Sequence, residues 1–229
     1  MLINPYLPGA SFKNFPKLDY LLNLYYDEIF EFIPATQYNK ITPRFKLESG
    51  LKFGFRDIFY YIDQLYDNNP QSIIDVGCGE CIWKRWFPNI IGFDPTPSSY
   101  ANHDFIDYFD EEFSSGHKDN YDSGMALNSI HFVSWDKIGK QIDLAMNMIK
   151  PNGRFLFTFN FDCFDDNTVP KREATSLATK IERMDSIIKS LPYQIHLLDY
   201  PSLHGINEDQ VNLYAGINGH VRIILENNQ

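Results

Sequence analysis

The chain has 229 residues, 44% hydrophobic and 22% charged, with 30 acidic against 20 basic side chains and a net charge of −10. That apolar fraction sustains a packed core and excludes a disordered chain, and the length fits one decorated domain or two small ones. The acidic balance argues against non-specific nucleic-acid binding, which depends on Lys and Arg neutralising phosphates, and no run approaches the roughly 18 apolar residues of a membrane span.

The N-terminus lacks the basic-then-apolar pattern of a secretory signal, so the cytoplasm is the expected compartment. Aromatic residues crowd the front, where 16 of the 36 precede residue 70. From Leu18 to Phe32, Leu21, Leu22, Tyr25, Tyr26, Ile29 and Phe30 recur at helical spacing. A loop with Pro34 and Pro43 follows, then a second amphipathic helix from Gly54 to Tyr66, stopped by Asn68-Asn69-Pro70. Residues 1–69 therefore form an expected N-terminal helical extension, and residues 70–229 a separate domain.

From residue 72 strands and helices alternate. Ser72 to Val76 is a short apolar strand that runs into Gly77-Cys78-Gly79. Residues 80–87 form a brief helix ended by Pro88, and Asn89 to Asp94 a second strand ended by Pro95-Thr96-Pro97. A third, weak strand falls around 101–106 and a fourth at 122–128. Trp135 to Ile149 is helical, with Ile138, Ile142, Ala145 and Ile149 in phase, and Pro151-Asn152-Gly153 is a turn. A strand at 154–159, a helix over 171–190 and strands near 193–199 and 220–226 complete the series. This alternation predicts a mostly parallel sheet in a layered α/β fold, with the last strand antiparallel at the sheet edge.

The segment Asp75-Val76-Gly77-Cys78-Gly79-Glu80-Cys81 carries the most chemistry. A strand ending in a glycine-rich turn that opens a helix brings backbone close to a ligand, and glycines at 77 and 79 remove the Cβ atoms in the way. Asp94 ends the next strand, where a carboxylate accepts ribose hydroxyls and repels a 2′-phosphate. NAD and S-adenosylmethionine are the nucleoside cofactors this pair admits. The dinucleotide fingerprint asks for a third glycine where position 82 is Ile, whereas Asp75 suits the ammonium of an aminoacyl group. Cys78 and Cys81 make a CxxC, a spacing used in metal and redox sites, but Cys163 is the only other cysteine and no second ligand pair is evident.

Residues 75–81 resemble the first motif of class I S-adenosylmethionine-dependent methyltransferases. Tyr121 to Val133 is similar to that family's fourth strand and following loop, and Ile149 to Phe157 to its turn into the fifth strand. The resemblance spans about residues 70–226, with Cys81 standing where the family has a third glycine. It implies a three-layer sandwich around a seven-stranded sheet whose last strand is antiparallel. It also implies S-adenosylmethionine held by Asp75, Gly77, Cys78, Gly79 and Asp94, with Pro95 and Asn128 beside it. Asp104 and Phe105 best match the adenine contact, with Asp107 as competitor. Ser129 and His131 then line the acceptor, His131 being the candidate general base, with Tyr200 and His204 as further substrate residues.

No Asn/Asp-Pro-Pro-aromatic motif follows the fourth strand, where Asn128-Ser129-Ile130-His131 stands, and no Pro-Cys marks a cytosine C5 nucleophile. The expected activity is transfer of a methyl group to oxygen or nitrogen of a small molecule, a metabolite or sugar intermediate, without metal, nucleic acid or membrane. A non-catalytic S-adenosylmethionine-binding module and a nicotinamide oxidoreductase are the alternatives. The aromatic front is expected to supply core and part of the acceptor pocket.

Overall fold

Ile73–Val76 (β1) is buried at every position, as a strand flanked on both sides must be. It pairs in parallel with Ile90–Asp94 (β2) on one side and Tyr121–Leu127 (β4) on the other. The computed structural model describes residues 61–79, 81–85, 87–95, 104–105, 109–131, 133–161, 177–200 and 220–229. The Leu18–Phe32 helix, the start of the Gly54–Tyr66 helix, Asp107 and His204 lie outside the described residues.

The remaining strands are Asp104–Phe105 (β3), Ile149–Asn160 (β5), Gln194–Asp199 (β6) and His220–Glu226 (β7). The sheet order is β3-β2-β1-β4-β5-β7-β6, six strands of four or more residues and the two-residue β3. β1 to β5 run parallel, whereas β7 is antiparallel to both β5 and β6. Among the described residues from Pro70 onward the α-helices are Glu111–Gly116 (α1), Ile138–Met146 (α2) and Leu177–Ser190 (α3). α2 turns Ile138, Ile142, Ala145 and Met146 into the core and packs against β5, α1 and α3. The core around them holds Phe155, Phe157 and Phe159 of β5, Met184 and Ile188 of α3 and Val221, Ile223 and Leu225 of β7.

Four expectations change. β7 is antiparallel but does not lie at the edge: it is inserted between β5 and β6, and β6 is the edge. The side chains agree with this, since Val221 to Leu225 is buried throughout while Gln194, Ile195 and His196 of β6 are exposed. The helix expected to reach Ile149 stops at Met146, and Ile149 is already paired with Tyr121 in β5. Pro151-Asn152-Gly153 is then a bulge inside β5 rather than a turn before it. The pairing moves from Tyr121↔Ile149 to Ser123↔Arg154, and Asn227 N–H bonds the Gly153 carbonyl at 2.9 Å. The segment after the glycine-rich turn is a 3₁₀ turn, Ile82–Arg85. α1 was not expected. Its signal is Asp110, whose carboxylate caps the Phe113 N–H at 3.0 Å ahead of Glu111 and Glu112.

The chain divides into two compact units: Met1–Asn69 with Ser202–Asn218, and Pro70–Pro201 with Gly219–Gln229. In the first, residues 61–65 are helical and lead into a 3₁₀ turn, Tyr66–Asn68. Asn69, in left-handed conformation, closes that turn by donating its N–H to the Tyr66 carbonyl. The second unit carries the whole sheet.

Candidate functional site

The strand order reverses between β1 and β4, because the chain runs outward to β2 and β3 before returning to β4. In an open α/β sheet the crevice beyond the strand ends at such a point is where ligands bind. The loops that meet there are Gly77–Cys81 after β1 and Asn128–His131 after β4. They touch. A Cβ placed on Gly77 would lie 2.3 Å from Ser129 Cβ, and the Ser129 hydroxyl donates to the Val76 carbonyl. Gly77 also has φ +70, so this position combines a close approach with a left-handed backbone.

The first loop is tied to β2. Gly77 and Cys78 both donate N–H to the Phe93 carbonyl, at 2.7 and 3.1 Å. Gly79 N–H donates to Asp94 Oδ2 at 2.7 Å. Asp94 is buried, at 7% exposure, and a carboxylate's two oxygens can accept from several donors at once. In register, β3 places Asp104 beside Phe93 and Phe105 beside Asp94. Asp104 is exposed and Pro95, directly after Asp94, is also exposed.

Asp75 is the unusual group. It is 1% exposed, and neither carboxylate oxygen has a hydrogen-bond partner among the described residues. Burial first, then the neighbouring Cys81 and Asp94, push its carboxyl well above the usual 3.8. A buried acid with no hydrogen-bond partner among the described residues is the kind of position a ligand completes.

On the β4 side, Asn128 is left-handed (φ 54), and its N–H is shared between the Thr158 carbonyl at 3.0 Å and Thr158 Oγ1 at 2.9 Å. Its side chain is exposed, and Ser129 is half-buried. His131 is fully buried, with its ring edge-on to Phe159 at 6.0 Å. Burial pushes its pKa down to about 4, so it is neutral at physiological pH. Tyr200 sits apart from this loop pair in sequence and is engaged elsewhere: its hydroxyl donates to Asp185 on α3, and burial, then Asp185, push its pKa up. Thus Asp75, Gly77, Cys78, Gly79, Asp94, Asn128, Ser129 and His131 fall on the two loops and strand ends at the reversal. Asp104 and Phe105 extend the row along β3.

Two participants had not been singled out. Thr158 of β5 braces the Asn128 turn, which no sequence pattern announces. Gly92 of β2 has a Cβ position 2.6 Å from both the Cys78 and Cys81 sulfurs. An isolated glycine inside a strand pattern, as in Asn89 to Asp94, is the available signal for such an approach.

No protein-family model and no curated protein matches the chain. Solved structures do. The CurJ carbon methyltransferase is 13% identical and superposes with a TM-score of 0.54, covering 92% of this chain and 70% of that one. The PH0226 protein from Pyrococcus horikoshii OT3 is 11% identical with a TM-score of 0.50, covering 83% and 98%. A SAM-dependent methyltransferase from Archaeoglobus fulgidus is 12% identical with a TM-score of 0.49, covering 74% and 91%. With a reversal between β1 and β4 and an antiparallel β7 between β5 and β6, the chain has the fold of the class I S-adenosylmethionine-dependent methyltransferases.

Proposed function

We propose that the chain is an S-adenosylmethionine-dependent methyltransferase that modifies oxygen or nitrogen of a small-molecule acceptor, a metabolite or sugar intermediate. The observation that carries this reading is Asp75, a buried carboxylate without a hydrogen-bond partner among the described residues, beside a glycine-rich loop at the sheet's reversal. A dinucleotide brings a pyrophosphate and no ammonium, so it offers the buried Asp75 no cationic partner. An aminoacyl-adenosine brings an ammonium for Asp75 and ribose hydroxyls for Asp94. The residues fit the second ligand.

Bound S-adenosylmethionine supplies a methyl group already activated on a sulfonium. The chain's own task is to hold and align. Asp75 takes the ammonium in a charge-assisted hydrogen bond. Gly77 and Gly79, without side chains, admit the ligand to the backbone, with Cys78 between them. Asp94 accepts the ribose hydroxyls while Gly79 N–H fixes its other oxygen. Pro95, Asp104 and Phe105 continue toward the adenine, and Asn128 and Ser129 line the end of β4. His131 is a weak base at a pKa of about 4, and the Tyr200 hydroxyl is bonded to Asp185. The reading therefore assigns the rate to alignment. Oxygen and nitrogen acceptors suit that arrangement because each brings its own lone pair, whereas a saturated carbon acceptor must first lose a proton to a base. The net charge of −10 favours a small acceptor over nucleic acid.

Acceptor choice is placed by this proposal in the unit made of residues 1–69 and 202–218, which includes His204 and the aromatic front. What supports it is that the sheet-bearing unit contains every cofactor residue named above, so the other unit is free for a different task. The same two observations on His131 and Tyr200 favour a second reading, a binding module that holds the cofactor without turnover.

Titration calorimetry with S-adenosylmethionine, S-adenosylhomocysteine and NAD tests the proposal. Both sulfur compounds are expected to bind and NAD to give no heat, with Asp94→Ala weakening binding at least about tenfold. Absence of heat with both sulfur compounds overturns the cofactor assignment. Release of S-adenosylhomocysteine with a panel of hydroxyl and amine metabolites separates the enzyme from the silent module.

A further inference from the structure

The cofactor proposal uses the backbone of residues 77–81 and leaves its two thiols without a task. Cys81 N–H donates to the Cys78 carbonyl at 2.9 Å. That i to i+3 bond makes residues 78–81 a tight turn, with end Cα atoms less than about 7 Å apart. Disulfides span Cα separations of about 4.4–6.8 Å. Both side chains point the same way: each sulfur lies 2.6 Å from the one Cβ position on Gly92. The Cys78 thiol is within donor reach of the Gly79 carbonyl at 3.5 Å and donates to the Cys81 sulfur. Cys81 is held left-handed at φ 51, a conformation unusual for a residue with a Cβ, and it is this turn that brings its sulfur back over β2. Among the described residues, no group of three or more His, Cys, Asp or Glu is arranged to hold a metal ion.

We propose that Cys78 and Cys81 form a reversible disulfide, made by a low-molecular-weight disulfide oxidant, that weakens cofactor binding at the adjoining loop. Cys78 is half-buried and Cys81 is 2% exposed, so the oxidant meets Cys78 first. The Cys78 sulfur attacks the oxidant RSSR, an S–S bond forms to one R–S, and the other leaves with the Cys78 proton as RSH. The Cys81 sulfur then attacks Cys78 Sγ, closing the Cys78–Cys81 bond, and the second RSH leaves with the Cys81 proton. Two thiols lose two electrons and RSSR gains them. Once Cys78 carries R–S it has no proton left to share, and Cys81 closes the bond by placement, its sulfur lying beside Cys78 Sγ over the same Gly92 position.

The effect on binding follows from what lies between the two sulfurs. Gly79 is inside the turn, and its N–H is the donor that fixes Asp94 Oδ2. Pulling the sulfurs to bonding distance, about 2.05 Å, re-sets the torsions of that residue. The affinity effect rests on the S-adenosylmethionine reading; the disulfide does not.

The test uses the full chain carrying Cys163→Ser, equilibrated across ratios of reduced to oxidised glutathione, acid-quenched and alkylated. The expected result is that the two thiols escape alkylation together, with loss of two hydrogens in the intact mass, reversed by a dithiol reductant. S-adenosylhomocysteine should then bind the oxidised chain at least about fivefold more weakly than the reduced one. Cys78→Ser should abolish the two-hydrogen loss. Thiols that stay open to alkylation, or that at equilibrium hold glutathione without going on to the two-hydrogen loss, overturn the disulfide. A disulfide with unchanged affinity overturns its effect on binding. If the reduced chain binds no S-adenosylhomocysteine, the cofactor reading and the affinity effect fall together, while the mass result still decides the disulfide.

Discussion

Asp75 and His131 are both buried ionisable groups, and their shifts pull stability in opposite directions with pH. For Asp75 the folded-state pKa is raised, so the folded chain without ligand binds a proton that the unfolded chain releases near 3.8. Stability therefore falls as pH rises through and beyond that value. An ammonium ligand needs the ionised form, so cofactor affinity should rise with pH through the raised pKa, with proton release detectable by calorimetry in buffers of different ionisation enthalpy. Asp75→Asn should raise the unfolding midpoint of the ligand-free chain while weakening S-adenosylmethionine binding about tenfold or more. A variant that loses stability and keeps affinity would refute the role. For His131 the folded pKa is depressed from 6.5 to about 4. Its contribution is complete above pH 6.5 and is lost as pH falls toward 4, a span worth about 3 kcal/mol. His131→Gln should flatten the stability–pH slope in that window, read from denaturant midpoints at several pH values. At this scale the sequence was informative about residue type and silent about state. Asp75 and Asp94 stand out by spacing, but that one has no hydrogen-bond partner among the described residues and the other is pinned by Gly79 depends on which backbone atoms the turn turns inward.

Between residue and sheet, the loops after β1 and β4 behave as one element because Gly77 lies against Ser129. A methyl group at position 77 would have to occupy a left-handed residue and a site 2.3 Å from Ser129 Cβ. Gly77→Ala is expected to cost roughly 2–4 kcal/mol in unfolding stability, from backbone and overpacking together, and to abolish detectable cofactor binding. Circular dichroism melts and calorimetry on the same sample check both. Element types were legible where periodicity was long, as in α2 and β5. Their ends were less so. Ile149 satisfies the helical phase of Ile138, Ile142 and Ala145, yet it belongs to β5, because the Asn147–Met148 turn intervenes and Tyr121 offers it a strand partner. The Pro-Asn-Gly of residues 151–153 was a sound signal of irregular backbone; it could not say whether the irregularity preceded the strand or lay within it.

For the molecule as a whole, the alternation of strand and helix was enough to identify the fold class, and structures only 11–13% identical share it. What alternation cannot specify is who pairs with whom. β7 is buried continuously from Val221 to Leu225, as an interior strand is, with Arg222 its one charged residue in that stretch, and its antiparallel direction lets it lie between two strands that run the other way. That insertion has a consequence for biosynthesis. The ribosome delivers β1 to β6 before residues 220–226 exist, so β5 and β6 cannot pair as they do in the finished sheet, each through β7. Until then both present an unpaired edge, of which β5 carries Phe155, Phe157 and Phe159. The nascent chain is thus held open along this seam for the time taken to make everything between Asp199 and His220, a delay that grows with the length of the segment joining them.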